Sequence, residues 1–318
     1  MIAAAALVIA VALVLYAVLG GADFGGGVWD LLATGPRRAE QRDAVTHAVG
    51  PVWEANHVWL IFAWVALFTC FPVAFAAIGI GLYVPLSMVL LGIVLRGAAF
   101  AFRNYAGEGW AERAWTIVFG SASLLAPFFL GDAVGALARG DDAWSSPFAL
   151  AVGAFAVAVS AQVAAVFLLH ETANAAVIAD FRRRAVRATI AVWIVGLVPA
   201  GFAATEHLRL FDALHRPAAM VAVVIALAAG ILTIIAVRRN ADATARIAVG
   251  IEAAAILGGW FAAQAPDIVP GRLSLTAAAA PDATVAAFLV ATVLGLAIVI
   301  PSLLLLFRVF KASPRMGP

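Results

Sequence analysis

Apolar stretches of about twenty residues recur nine times along this chain, and nothing else in the sequence constrains its fold as tightly. A helix rises about 1.5 Å per residue, so ~20 residues cross a bilayer core, where only a helix or a closed barrel satisfies its own backbone hydrogen bonds. The predicted spans are Ile2 to Ala22, Val52 to Phe71, Ala74 to Phe102, Trp115 to Leu137, Pro147 to Leu169, Ala188 to Ala204, Ala218 to Val237, Ile247 to Ala263 and Thr284 to Phe307. Only 12% of the 318 residues are charged, against about 25% in a typical soluble domain. The pattern predicts an all-α, polytopic membrane protein. Residues 1 to 318 are expected to form a single integral membrane domain, with two four-helix bundles plus one peripheral helix.

No Lys or Arg precedes the first span and no small-x-small cleavage site follows it, so a cleaved signal peptide is not expected. A formal net charge of +2, spread over short loops, excludes a nucleic-acid surface. The single cysteine, Cys70, lies in an apolar run and reads as a small buried side chain. Pro85, Pro127, Pro199 and Pro301 fall inside spans and predict kinks rather than breaks. Almost no loop separates the second span from the third, which predicts an antiparallel hairpin.

Basic residues set the expected orientation. The loops after odd-numbered spans carry groups such as Arg37, Arg38 and Arg42, or Arg182, Arg183, Arg184 and Arg187; even-numbered loops hold only Arg139, Arg209, Arg216 and Arg272. By the positive-inside rule the N-terminus lies outside and the C-terminus faces the cytoplasm.

That topology draws the buried polar residues toward the cytoplasmic side. Asp23 ends the first span, Glu54 and His57 open the second, Arg96 lies late in the third and Glu252 early in the eighth. A charge within the hydrocarbon costs at least ~2.5 kcal/mol, so such residues face a bundle interior, a partner or a water path. If the second and third spans are neighbours, Glu54 and Arg96 share a depth and can pair. The pair reads equally as a helix-packing device and as a proton entry route with Glu54 as carrier and His57 as relay. The small residues of Gly20-Gly21-Ala22-Asp23-Phe24-Gly25-Gly26-Gly27 indicate tight packing or a bound group. Asp30 is expected as a solvated end charge, Asp132 as a cap at the outer end of the fourth span. Glu252 can serve a partner helix or a lipid headgroup, and Trp53 is a core residue or part of a site lining.

Metal chemistry finds little to build on. The Glu54 to His57 spacing matches one half of a di-iron bundle motif, but no other span supplies a second pair. His57 is the one histidine clearly within a span, so this chain alone could hold at most one haem, with difficulty.

The segment Gly21-Ala22-Asp23-Phe24-Gly25-Gly26-Gly27, followed by Gly50-Pro51-Val52-Trp53-Glu54-Ala55-Asn56-His57-Val58-Trp59-Leu60, closely resembles subunit II of cytochrome bd-type quinol oxidases. Similarity continues through Arg96 to Arg103, Gly120-Ser121 and Leu273-Ser274-Leu275-Thr276. The resemblance implies a heterodimer in the bacterial plasma (inner) membrane that oxidises quinol and reduces dioxygen to water with cytoplasmic protons. It implies haems b and d in the partner, oxidase subunit I, with none ligated firmly here. A structural quinone and a small accessory subunit are further possible components. Asp23 and Glu54 match the family's buried acids, Trp53 and Arg96 its neighbouring tryptophan and third-helix arginine. Many members carry aspartate at the Glu54 position, glutamine at His57, and acids where this chain has Gly20 and Ala101, so a complete proton path does not carry over. The competing reading is a proton-coupled secondary transporter, suggested by buried charges and helix breakers alone.

Overall fold

The computed structural model of the chain describes residues 1–50, 53–103, 105 and 109–311, the side chains of 307, 310 and 311 excepted. Pro51 and Val52 of the second-span motif, and Arg315 of the basic C-terminal group, lie outside the described residues. The helices are α1 (Ile2–Leu31), α2 (Arg38–Val49), α3 (Trp53–Cys70), α4 (Pro72–Gly81), α5 (Tyr83–Arg103), α6 (Trp110–Arg139), α7 (Pro147–Phe167), α8 (Ala175–Thr205), α9 (Arg209–Leu214), α10 (Pro217–Arg238), α11 (Asp242–Gln264), α12 (Leu275–Ala278) and α13 (Asp282–Lys311). A two-stranded antiparallel ribbon, β1 (Asp267–Val269) and β2 (Leu273–Ser274), interrupts the otherwise helical fold. Among the described residues eight helices are long and apolar enough to cross a membrane, and nine spans result if α2 and α3, bent by 51°, count as one.

Several helices outrun the spans read from hydropathy. The α1, α6 and α13 helices each have 30 residues, about 45 Å of helix, more than a bilayer core needs. Their extra turns carry polar residues, as in the first turns of α8, where Asn174 caps the helix by accepting from the N–H groups of Ala176 and Val177. Pro127, Pro199 and Pro301 sit inside continuous helices. Pro85 behaves differently. Its ring excludes the carbonyl four residues back, and α4 ends at that residue, Gly81, so the expected third span is split at Leu82.

The expected two-bundle arrangement is present. One bundle comprises α1, α3, α5 and α6, the other α7, α8, α10 and α11, and α1 and α6 both pack against α7 at the seam. The α13 helix lies at the periphery against α3, where Phe62 stacks on Phe288 at 6.0 Å. Cys70 is fully buried, and its carbonyl accepts from Ala280 N–H at 2.8 Å, tying the approach to α13 onto the end of α3. The hairpin expectation needs correction. The main neighbour of α3 is α1 and that of α5 is α6, because the Pro72 to Gly81 helix separates them instead of letting the chain turn straight back.

Glycines make the seam possible. A Cβ on Gly25 would stand 2.0 Å from the Ser160 carbonyl oxygen of α7, and one on Gly27 would stand 2.0 Å from Ser123 Oγ of α6. The Gly-rich end of α1 therefore records close helix packing.

Candidate functional site

The α3 helix divides its residues between two faces. Trp53, Asn56, His57 and Leu60 follow an i, i+3, i+4, i+7 pattern, whereas Glu54, Val58, Ile61, Val65 and Phe68 form another stripe, exposed along the outside of the chain. Two residues along a helix rotate by about 200°, so Glu54 points away whenever Asn56 points inward. Glu54 is thus exposed, and among the described residues it makes no ion pair with Arg96, contrary to the pairing expected from the sequence.

Arg96 turns instead to α1. It is 1% exposed, and its Nη2 donates to the backbone carbonyl of Asp23 at 3.1 Å. Asp23, itself buried, accepts from Asn56 Nδ2 at 2.7 Å and interacts electrostatically with Arg96. The guanidinium lies 5.2 Å from the Phe24 ring centroid, 5.3 Å from Phe119 and 6.0 Å from Trp53. Aromatic faces attract a desolvated cation, and the buried acid supplies the opposite charge. Asp23, Asn56 and Arg96 form a compact polar centre from three helices of the first bundle.

His57 borders this centre. Its Nδ1 lies 3.2 Å from the Tyr16 hydroxyl, and its Nε2 is buried without a partner among the described residues. Tyr16, Phe24 and Trp53 surround the imidazole at centroid distances of 5.7, 5.8 and 5.9 Å. The half-buried imidazole thus packs against three aromatic rings. Among the described residues there is no group of three or more His, Cys, Asp or Glu side chains that could hold a metal ion.

The other sequence candidates separate into distinct environments. Asp30 is fully buried and pairs with Arg103 at 3.2 Å and Arg42 at 3.9 Å; it is not a solvated end charge, because α1 continues to Leu31 and α2 folds over it. Asp132 is no terminal cap, since α6 runs on to Arg139. It is fully buried, and neither carboxylate oxygen has a hydrogen-bond partner among the described residues. Glu252 lies in the second bundle, 2% exposed, and accepts from Gln162 Nε2 at 2.6 Å, which excludes contact with a lipid headgroup. Gln162 also donates to Thr189 Oγ1 at 3.2 Å, and Gly230 leaves the room that Glu252 occupies, since a Cβ there would stand 2.7 Å from Glu252 Oε1. Sequence reading passed over Asn56 and Gln162 because amides do not stand out as charges do. For Asn56 the available signal is its i+3 spacing from Trp53; for Gln162 it is only a polar side chain inside an apolar span.

Fold and site together define a helical, multi-pass membrane subunit with a charged polar centre enclosed at one end of its first bundle. The sequence model of the cytochrome bd terminal oxidase subunit II family matches residues 1–310, and the chain belongs to that family. Cytochrome bd ubiquinol oxidase subunit 2 of Bacillus subtilis (strain 168) is 36% identical over 134 residues, 42% of this chain and 39% of that protein. Cytochrome bd-I ubiquinol oxidase subunit 2 of Escherichia coli (strain K12) is 32% identical over 134 residues, 42% of this chain and 35% of that protein. The matched stretch therefore spans well under half the length of these curated relatives. The structure of bd oxidase from Geobacillus thermodenitrificans shares the fold, with a TM-score of 0.81 at 23% identity over 98% of this chain and 99% of that one. Family membership displaces the transporter reading.

Proposed function

We propose that this chain is the haem-free partner of oxidase subunit I in a quinol-oxidising terminal oxidase of the bacterial plasma membrane. The observation that carries this reading is the division of α3. Its inner face builds the Asp23–Asn56–Arg96 centre, and its outer face presents a carboxylate, Glu54, above an uncovered apolar stripe of Val58, Ile61, Val65 and Phe68. An ionisable group on the outside of a membrane helix is stable where it meets a partner or water rather than acyl chains. Subunit I meets that need.

The partner carries the haems b and d and the electron chemistry, while this chain supplies structure and part of the proton supply. Asp23 and Glu54 are the proton-carrying groups, and His57 is a secondary relay through the Tyr16 hydroxyl. Arg96 and Trp53 hold Asp23 in place, and Glu252 secures the second bundle. The orientation is N-terminus outside and C-terminus in the cytoplasm, following the basic loops. A structural quinone belongs to the proposed complex, with no site assigned to it among the described residues. A small accessory subunit is compatible with the exposed apolar helices but is not required by them.

Purification through a tag on this chain under mild detergent tests the assignment. A larger subunit with b- and d-type haem absorption should copurify. A haem-free homo-oligomer would refute it.

A further inference from the structure

A cavity of about 50 Å³ lies between α1, α2, α7 and α11, and it joins two groups of different character. Its inner wall includes Asp23 and Asn56, each 4% exposed. Its outer wall includes Glu171, partly exposed just beyond α7, and Arg246 on α11, which is exposed and has its guanidinium 4.6 Å from the centroid of Phe167, another wall residue. That volume holds at least one water, and the polar groups at both ends supply the hydrogen bonds a buried water needs. Glu171 and Arg246 follow the fifth and seventh spans, where the basic loops put the cytoplasm.

We propose that this cavity is the proton entry of the chain, with Glu171 as the group that takes protons from bulk water and passes them through cavity water to Asp23. The inference rests on the oxidase reading and deepens it. Each transfer is a proton exchange: Glu171 carboxylate takes a proton from hydronium, releases it to cavity water, and that water gives it to the Asp23 carboxylate. No electron moves, and Glu171 returns to its ionised form. Arg246 positions the entrance, because its cation draws Glu171 toward the mouth while the Phe167 ring keeps it at the cavity's edge. The charged and polar groups facing Asp23 include Tyr16 from α1, Asn56 from α3, Arg96 from α5, and Glu171 and Arg246 from the cavity's far end. Asn56 fixes the carboxylate by donating to it.

The test uses the intact purified complex. Glu171→Gln removes the exchangeable proton with little change in shape, and Ala22→Val fills the cavity from its α1 wall. Each should lower quinol-dependent oxygen uptake on the order of tenfold, below the hundredfold typical of a group acting in the transition state itself. Haem spectra and the KM for quinol should stay unchanged, the H2O/D2O rate ratio should rise, and Glu171→Asp should recover most of the rate. A separate readout does not need turnover. With Cys70→Ala as background, Ala22→Cys should be oxidised to a sulfenic acid by hydrogen peroxide, a reagent close to water in size that leaves as water, and Ala164→Leu placed on the opposite wall should block that reaction. Wild-type rates and isotope ratios in haem-replete Glu171→Gln and Ala22→Val complexes would overturn the entry and leave the oxidase reading standing. An unreactive Ala22→Cys would overturn it likewise. If no haem-bearing partner copurifies, both fall together.

Discussion

The two bundles each bury a carboxyl group, and they do so by opposite means. In the first, Asp23 lies with a cation, Arg96, inside an aromatic cage, and a cavity links it to exposed groups. In the second, Glu252 has an amide partner, Gln162, itself joined to Thr189, with all three side chains at most 2% exposed. A buried ion pair is costly to build and fragile when halved, whereas a carboxyl bonded to neutral groups can be replaced by another hydrogen-bonding group of the same shape. The first bundle therefore holds a buried cation beside a buried acid. The second holds a polar fastener.

The largest effect should come from removing the buried cation that faces Asp23. Arg96→Leu leaves Asp23 without its cation and should cost about 3–5 kcal/mol, seen as lost complex in membrane extracts. Arg96→Lys, which keeps the charge but not the planar stacking, should fall between that variant and wild type. Equal recovery of Arg96→Leu and wild type would erase the distinction between the bundles.

The seam between them comes next. Gly25→Val forces a side chain where the Ser160 carbonyl already stands, and overpacking of this kind costs about 1–3 kcal/mol or more. A lower thermal midpoint of the complex would register it, and an unchanged midpoint would show that α1 and α7 can separate freely. Glu252→Gln preserves both shape and hydrogen bonding, so its cost should stay below about 1 kcal/mol in the same melting assay. A loss matching that of Arg96→Leu would mean Glu252 carries a charge the structure does not pair.

The smallest effect belongs to the rim. Arg37 donates to Asp180 at 2.9 and 2.8 Å, and these hydrogen bonds hold its guanidinium above the usual arginine range. A raised folded-state value means the stabilisation is complete below the ordinary arginine pKa and fades only as pH climbs through the higher one. Arg37→Ala should therefore lower the midpoint slightly and equally from about pH 6 to about pH 9, and the difference should shrink with added salt. A difference that disappears within that window would contradict the assignment.

Much of this architecture was legible in the chain. Apolar run length identified the spans because bilayer thickness sets helix length, and the motif residues Asp23, Trp53 and Arg96 do meet. What hydropathy does not encode is rotation about a helix axis. Glu54 looked like a partner for Arg96 because both share a depth, yet Asn56, two residues on, takes the inward face and turns Glu54 out. The split at Leu82 was hidden for a related reason: four prolines looked alike, but only Pro85 follows a glycine at the carbonyl its ring excludes. Asp30 escapes a hydropathy pattern because α2, a polar helix, covers it from outside the membrane pattern.

Quinol-dependent oxygen uptake by haem-replete complexes compares the two carboxyl groups most directly. Asp23→Asn should lower the rate about tenfold or more, while Glu252→Gln should remain within about twofold of wild type. A wild-type rate for Asp23→Asn with full haem content would contradict the role given to the first bundle.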